Sequence, residues 1–495
     1  MLSTAYTRAT QGIDAPLVSV ETHLSNGLPA FHIVGLPEAA VRESRDRVRA
    51  AIISSQFEFP MTRITVNLAP ADLPKTGGYY DLSIAVGILS ASSQLPAAEL
   101  ESYELVGELG LNGELRGERG VLPIALAAKR AGRALIVPES ALAEACLVKG
   151  LTVYGARHLS QVCAHLCGME RLQMGEVERR VEAPTLPDLG DVRGQSQAKR
   201  ALEVAAAGGH HLLMVGPPGT GKTMLASRLP SLLPAMSDGE ATSTAAVQSI
   251  SRQGFNVKNW AIRPFRAPHH TVSGVALVGG GTVPMPGEIS LAHGGVLFLD
   301  EFTEFARTTL EVLREPIETG RVTISRAARQ ACFPARFQLV AAMNPCPCGY
   351  RGDPKRACRC TPDQVDRYRA KISGPLLDRI DMHIEVPRLS EAEIMGKAPL
   401  GENSASVAAR VSRARTFQQR RQRCSNAHLD SNQVEAFCAL DEKGQSLIQQ
   451  AMSRLGLSVR AYHRVLKVAR TLADLSGSDA IRSSDVAEAL SFRQP

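Results

Sequence analysis

Aromatic residues are scarce, at 4% of a 495-residue chain with a single tryptophan. That argues against a single-strand nucleic-acid binder built on many stacking platforms. Long apolar runs are missing too. None reaches the roughly 18 residues that a membrane span needs. The first residues, MLSTAYTRAT, lack the charged and apolar regions of a secretory leader. The chain is therefore expected to be soluble and cytoplasmic, with no membrane partner. In a reducing compartment its ten cysteines are expected as thiols rather than disulfides. Core-forming material is plentiful: 44% of residues are hydrophobic against 21% charged, too apolar for a disordered chain. The length suggests roughly two to four domains. A net charge of +7 permits an anionic partner without proving one.

Residues 1–168 alternate β-rich runs such as LVSVETHL and RITVNLAP with helical ones such as AAVRESRDRVRAAI. This predicts an α/β or α+β domain. Residues 169–190 turn polar and carry Pro184 and Pro187, which reads as a linker. In residues 191–388 the runs HLLMVG, GGVLFLD and FQLVAAMN are almost wholly apolar. Such strands predict a parallel sheet covered by helices on both faces. Residues 389–495 read as a helical domain, with caps expected at Asp430 or Ser431 and at Ser483 or Ser484.

The stretch GPPGTGKT matches G-x-x-x-x-G-K-[ST] at Gly216, Pro217, Pro218, Gly219, Thr220, Gly221, Lys222 and Thr223. It follows an apolar strand and precedes a helical run, the context this phosphate loop needs. Backbone N–H groups would curl round phosphates, Lys222 would reach the β/γ oxygens and Thr223 would hold Mg²⁺. The strand GGVLFLDE ends in Asp300 and Glu301. Asp300 is assigned to Mg²⁺ and Glu301 to polarising the attacking water. Asn344 ends the third strand, at the ligand edge of such a sheet. It could orient the water or sense the γ-phosphate; an asparagine before proline is otherwise a turn.

These residues, with RPFRAPHHTVS, PGEISLAHGGVLFLDE, MNPCPCGY and KISGPLLDRIDMHIEVP, resemble AAA+ ATPases of the magnesium-chelatase-like ComM/YifB family over nearly the whole length. The resemblance implies a P-loop AAA+ core with a helical lid, in a hexameric ring binding ATP between subunits. It implies the sensor-1 role for Asn344, the arginine finger for Arg379 and the sensor-2 arginine for Arg460. Without the family, Arg379 and Arg460 would read as ordinary helix-surface charges.

The resemblance also marks a helix-2 insertion at residues 267–290, containing His269 and His270, and a pre-sensor hairpin at 320–340. β-type runs flank Arg326, Ala327, Ala328 and Arg329, which reads as a basic tip. Related ring motors use such loops to grip DNA, so Arg326, Arg329, His269 and His270 are the expected DNA contacts. Residues 1–168 resemble a Lon-protease-like domain, yet GGYYD stands where the nucleophilic serine is expected and the lysine is lost. Ser83 has no supporting base, which predicts a non-proteolytic domain.

The leading expectation is an ATP-dependent hexameric DNA translocase or helicase. It would promote branch migration in homologous recombination during natural transformation, on single-stranded or branched DNA, with recombinase-linked proteins as further partners. The alternative is a chelatase-type chaperone subunit acting on a protein partner. The extra N-terminal domain and a tetracysteine stretch argue against that alternative.

That stretch, PCPCGYRGDPKRACRC, places Cys346, Cys348, Cys358 and Cys360 in two C-x-C pairs. Four such thiols can close a tetrahedral shell, so a structural Zn²⁺ is expected at 345–360. Free thiols and disulfides are the alternatives. The intervening Arg351, Lys355, Arg356 and Arg359 would make a metal-braced knob a second DNA contact.

Overall fold

The three apolar runs lie side by side in the computed structural model, which describes residues 1–176, 186–326, 329–389 and 401–493. Strands Val296–Leu299, Gln338–Met343 and Leu212–Val215 are neighbours, with Val296 opposite Gln338 and Leu212 opposite Val340. Phe265–Arg266 adds at one edge and Met382–Glu385 at the other, giving a five-stranded sheet in which every pairing is parallel. Parallel strands need crossover connections that cover both faces, which explains why these runs are apolar without alternation. Leu212, Met214, Phe298 and Val340 pack on one side with Leu202, Val411 and Val465 from three helices. Leu213, Leu297, Leu299 and Leu339 point the other way, against Leu310, Ile324 and Phe333.

The C-terminal helices Ser404–Gln422, Ser431–Phe437, Glu442–Leu455, Val459–Leu475 and Ser483–Ser491 share the first of these cores. Asp430 caps its helix in a reciprocal pair with Gln433. The last helix starts at Ser483 with Arg482 at the cap position, one residue before the expected serine. The Asp485 carboxylate accepts the Arg482 N–H, so no serine is needed there.

The N-terminal region holds a four-stranded sheet in the order Leu2–Arg8, Leu17–Ser25, Arg63–Ala69, Ala30–Val34, and a smaller parallel sheet. The smaller sheet joins Tyr103–Leu105, Ala134–Pro138 and Val153–Ala156. The helix Asp81–Ala91 is buried along its whole length, which follows from its near-continuous apolar sequence. The same core takes in Ala241, Ala245, Ala246 and Trp260 from the segment after the phosphate loop. Residues 177–185 of the expected linker, Ala327 and Ala328 of the expected hairpin tip, and 390–400 of the expected helical block lie outside the described residues. Among the described residues no helix is long and apolar enough to cross a membrane.

Candidate nucleotide site and its surroundings

Leu212–Val215 feeds straight into the loop 216–221, and the helix Lys222–Leu232 leaves it. Gly219 and Gly221 take φ of 78° and 87°, a left-handed backbone that glycine adopts at little steric cost. The loop therefore curls back and aims the helix N-terminus at its own concavity, a position suited to phosphate. Lys222 Nζ donates to the carbonyls of Gly216 and Pro217 at 2.7 and 2.9 Å and to Asn344 Oδ1 at 3.3 Å. Burial pushes its ammonium below the usual lysine range, with nearby Asp300 opposing that shift.

Thr223 Oγ1 donates to Asp300 Oδ2 at 2.6 Å, and Asp300 Oδ1 accepts the Glu301 N–H at 2.9 Å. A hydroxyl and a carboxylate oxygen in contact are hard donors of the kind Mg²⁺ takes with phosphates and water, so the residues fit that ion. Lys222, Thr223, Asp300 and Asn344 thus meet at the C-terminal ends of three adjacent strands.

Glu301 itself is turned by a left-handed φ of 51°. His270 Nδ1 lies 2.8 Å from its carboxylate. His270, expected as a DNA contact of the insertion, thus lies against the acidic pair; it follows Phe265–Arg266, the strand that pairs with Val296–Leu299. The His269 ring lies tilted against His270, centroids 4.1 Å apart, and its Nδ1 pairs with Thr271 Oγ1 at 2.9 Å.

Arg379 is not a surface charge. It is 5% exposed, with Nη2 2.7 Å from Glu318 and Nη1 donating to Pro375 O at 2.7 Å. Arg460 sits exposed in the first turn of Val459–Leu475.

The hairpin Arg321–Arg326 and Arg329–Pro334 pairs in register, with Arg326 opposite Arg329. Arg326 is exposed. Arg329 differs from a free basic tip: it is ion-paired with Glu38 of the N-terminal domain and its side chain is 16% exposed. Gln11 also donates to the Gln330 carbonyl at 3.2 Å. The helix-2 insertion packs on this hairpin, Gly279 against Ile324 and Gly280 against Arg326. In the N-terminal domain Ser83 Oγ donates to Tyr80 O at 2.8 Å, Tyr79 Oη pairs with Thr10 Oγ1 at 2.9 Å, and buried Lys75 donates to Pro70 O.

The four cysteine sulfurs all lie within 4.8 Å of one another. None is in a disulfide. Backbone N–H groups of Tyr350 and Arg359 push the Cys348 thiol down to about 6.

Sequence reading missed Glu318, Glu38 and the Asp353–Arg388 pair at 3.1 Å. Glu38 and Arg329 lie in different parts of the sequence, and none of the three belongs to a local motif that could have marked it.

A five-stranded parallel sheet with a phosphate loop, an acidic pair and a polar strand end at one edge defines a P-loop domain of the AAA+ class. The chain belongs to the ComM/YifB family of magnesium-chelatase-like AAA+ proteins. Residues 188–394 match the family described as magnesium chelatase, subunit ChlI, and 401–493 match its C-terminal part. Residues 20–141 match a model described as subunit ChlI of Mg-chelatase. The chain is 52% identical to the competence protein ComM of Haemophilus influenzae, covering 99% of this chain and 97% of that protein. It is 51% identical to the protein YifB of Escherichia coli, over 99% of this chain and 97% of that protein. The chloroplastic magnesium-chelatase subunit ChlI of Nicotiana tabacum is 24% identical over 56% of this chain and 65% of that protein.

Proposed function

We propose that this protein is an ATP-driven DNA motor: a hexameric translocase or helicase that promotes branch migration during recombination of incoming DNA. The observation that carries the nucleotide half is the meeting of Lys222, Thr223, Asp300 and Asn344 at one sheet edge. Lys222 would bind the β/γ oxygens of ATP, and Thr223 and Asp300 would hold Mg²⁺, which supplies charge neutralisation at the phosphates. Glu301 would polarise the attacking water and Asn344 would orient it. Arg379 would complete a neighbour's site and Arg460 would report on nucleotide from the lid. The structural Zn²⁺ belongs to this reading as a brace, taken up below.

The DNA half is supported by the likeness to a competence protein, by the net charge of +7 and by the exposed Arg326. The chelatase-type reading is favoured by the family descriptions, one of which covers the N-terminal domain. ATPase rate and strand displacement on forked or four-way DNA decide between them. The motor reading expects stimulation by DNA and displacement of a labelled strand. An unstimulated ATPase that displaces nothing would leave the chelatase-type reading standing. Lys222→Ala should lower ATP turnover by at least about 10²-fold, since it removes a charge aimed at the transferring phosphate.

A further inference from the structure

Residues 345–360 form no helix or strand, yet they lie against the phosphate loop and Asn344 of the nucleotide site. A loop of this length needs something to hold its shape. The sulfurs offer it. Cys346 and Cys348 are 3.4 Å apart, and Cys358 is 3.6 Å from each. Zinc–thiolate bonds of about 2.3 Å in a tetrahedron put sulfurs about 3.8 Å apart. The cluster is thus close to a zinc shell before any metal draws it in. The Cys348 N–H donates to Cys360 Sγ at 3.4 Å, the type of contact that stabilises thiolate ligands. Arg356 lies over the Tyr350 ring at 5.1 Å and donates to its hydroxyl at 2.7 Å, a contact within the loop between the two cysteine pairs.

The loop's contacts say what the metal would do. Gly349 donates to Cys346 O at 2.9 Å and takes φ of 81°. A Cβ there would come 2.8 Å from Pro218 Cδ and 3.9 Å from Asn344 Cγ. The turn Cys346–Gly349 therefore lies against both the phosphate loop and the end of the sensor strand. On its far side, buried Asp353 accepts the N–H groups of Lys355 and Arg356 and pairs with Arg388 at 3.1 Å. Arg388 follows Pro387, whose carbonyl accepts from Gln195 at 2.7 Å.

We propose that Cys346, Cys348, Cys358 and Cys360 bind one zinc ion, and that the braced loop positions the phosphate loop and Asn344 against Arg388, just beyond the strand Met382–Glu385. The second half rests on the nucleotide-site reading above.

The test uses the full-length protein, with metal content measured by mass spectrometry and ATP binding by calorimetry. About one zinc per chain is expected, falling to background in Cys358→Ser/Cys360→Ser and retained in Cys332→Ser. Cobalt exchanged into wild type should give an intense sulfur-to-metal charge-transfer band, a readout that does not depend on the variants folding. Gly349→Ala should keep its zinc but weaken ATP binding about tenfold or more, by pressing on Pro218. Wild type without zinc and without the cobalt band overturns the metal site. A zinc-loaded Gly349→Ala that binds ATP as wild type does overturns the brace. Lys222→Ala separates the two readings: unchanged ATP binding there sinks the nucleotide site, while metal content still decides the cluster.

Discussion

Glu301 is the residue whose setting matters most for turnover, because its proposed task is to face the attacking water. Its carboxylate instead contacts the His270 ring at 2.8 Å. A carboxylate engaged by a ring nitrogen is less free to polarise water, so this contact restrains hydrolysis in the proposed mechanism. His270→Ala is expected to raise DNA-independent ATP turnover several-fold, in kcat more than in KM. A fall in kcat would show that the ring aims Glu301 at the water instead. Glu301→Gln gives the reference. It should lower kcat by about 10²–10⁴-fold, the usual worth of a general base, with ATP still bound. Steady-state kinetics with and without DNA read both variants.

At the scale of elements, several strand and loop ends are held by buried neutral histidines. His211 Nδ1 accepts the Leu339 N–H at 3.0 Å, and His293 Nδ1 accepts the Arg336 N–H at 3.1 Å. An imidazolium cannot accept such a bond. Burial holds His211, His293 and His383 down at about 4. The unfolded chain binds protons on these rings near pH 6.5, so stability is lost as pH falls from there toward 4. At pH 5 each ring should cost up to about 2 kcal/mol. Melting temperature against pH checks this, and His293→Gln should flatten the slope between pH 6.5 and 5. These roles were hard to read from sequence. His210 and His211 precede a strand and look structural or exposed; His210 is fully buried and His211 half-buried, because Thr471, Asp381 and Leu339 come from distant segments to meet them. The strands themselves were legible, since a covered parallel sheet leaves an unbroken apolar signature. So was the phosphate loop, whose chemistry is local. The partners of Arg379 and Arg329 were not, since pairing across the fold leaves no trace in spacing.

At the scale of the whole molecule, the N-terminal domain grips the hairpin that the motor reading assigns to DNA. Glu38 pairs with Arg329, Gln11 holds the Gln330 carbonyl, and Gly12 lies against Ala331 and Phe333. Lys149 pairs with Asp238 and the Gly120 N–H donates to Ser249 O at 3.2 Å, so the grip extends beyond the hairpin. While Glu38 neutralises Arg329, that guanidinium adds little to phosphate binding. Glu38→Lys removes the partner and should tighten binding of branched DNA roughly two- to fivefold, the range set by a partly exposed ion pair. Arg329→Ala alone should change little, yet in the Glu38→Lys background it should cancel the gain. The cycle separates release of Arg329 from the general effect of an added positive charge, which would survive in the double variant. Fluorescence anisotropy at two salt concentrations measures it, because a freed phosphate contact also steepens the salt dependence. If Arg329→Ala alone weakens binding by the full amount, the arginine already reaches DNA and the N-terminal grip does not restrain it.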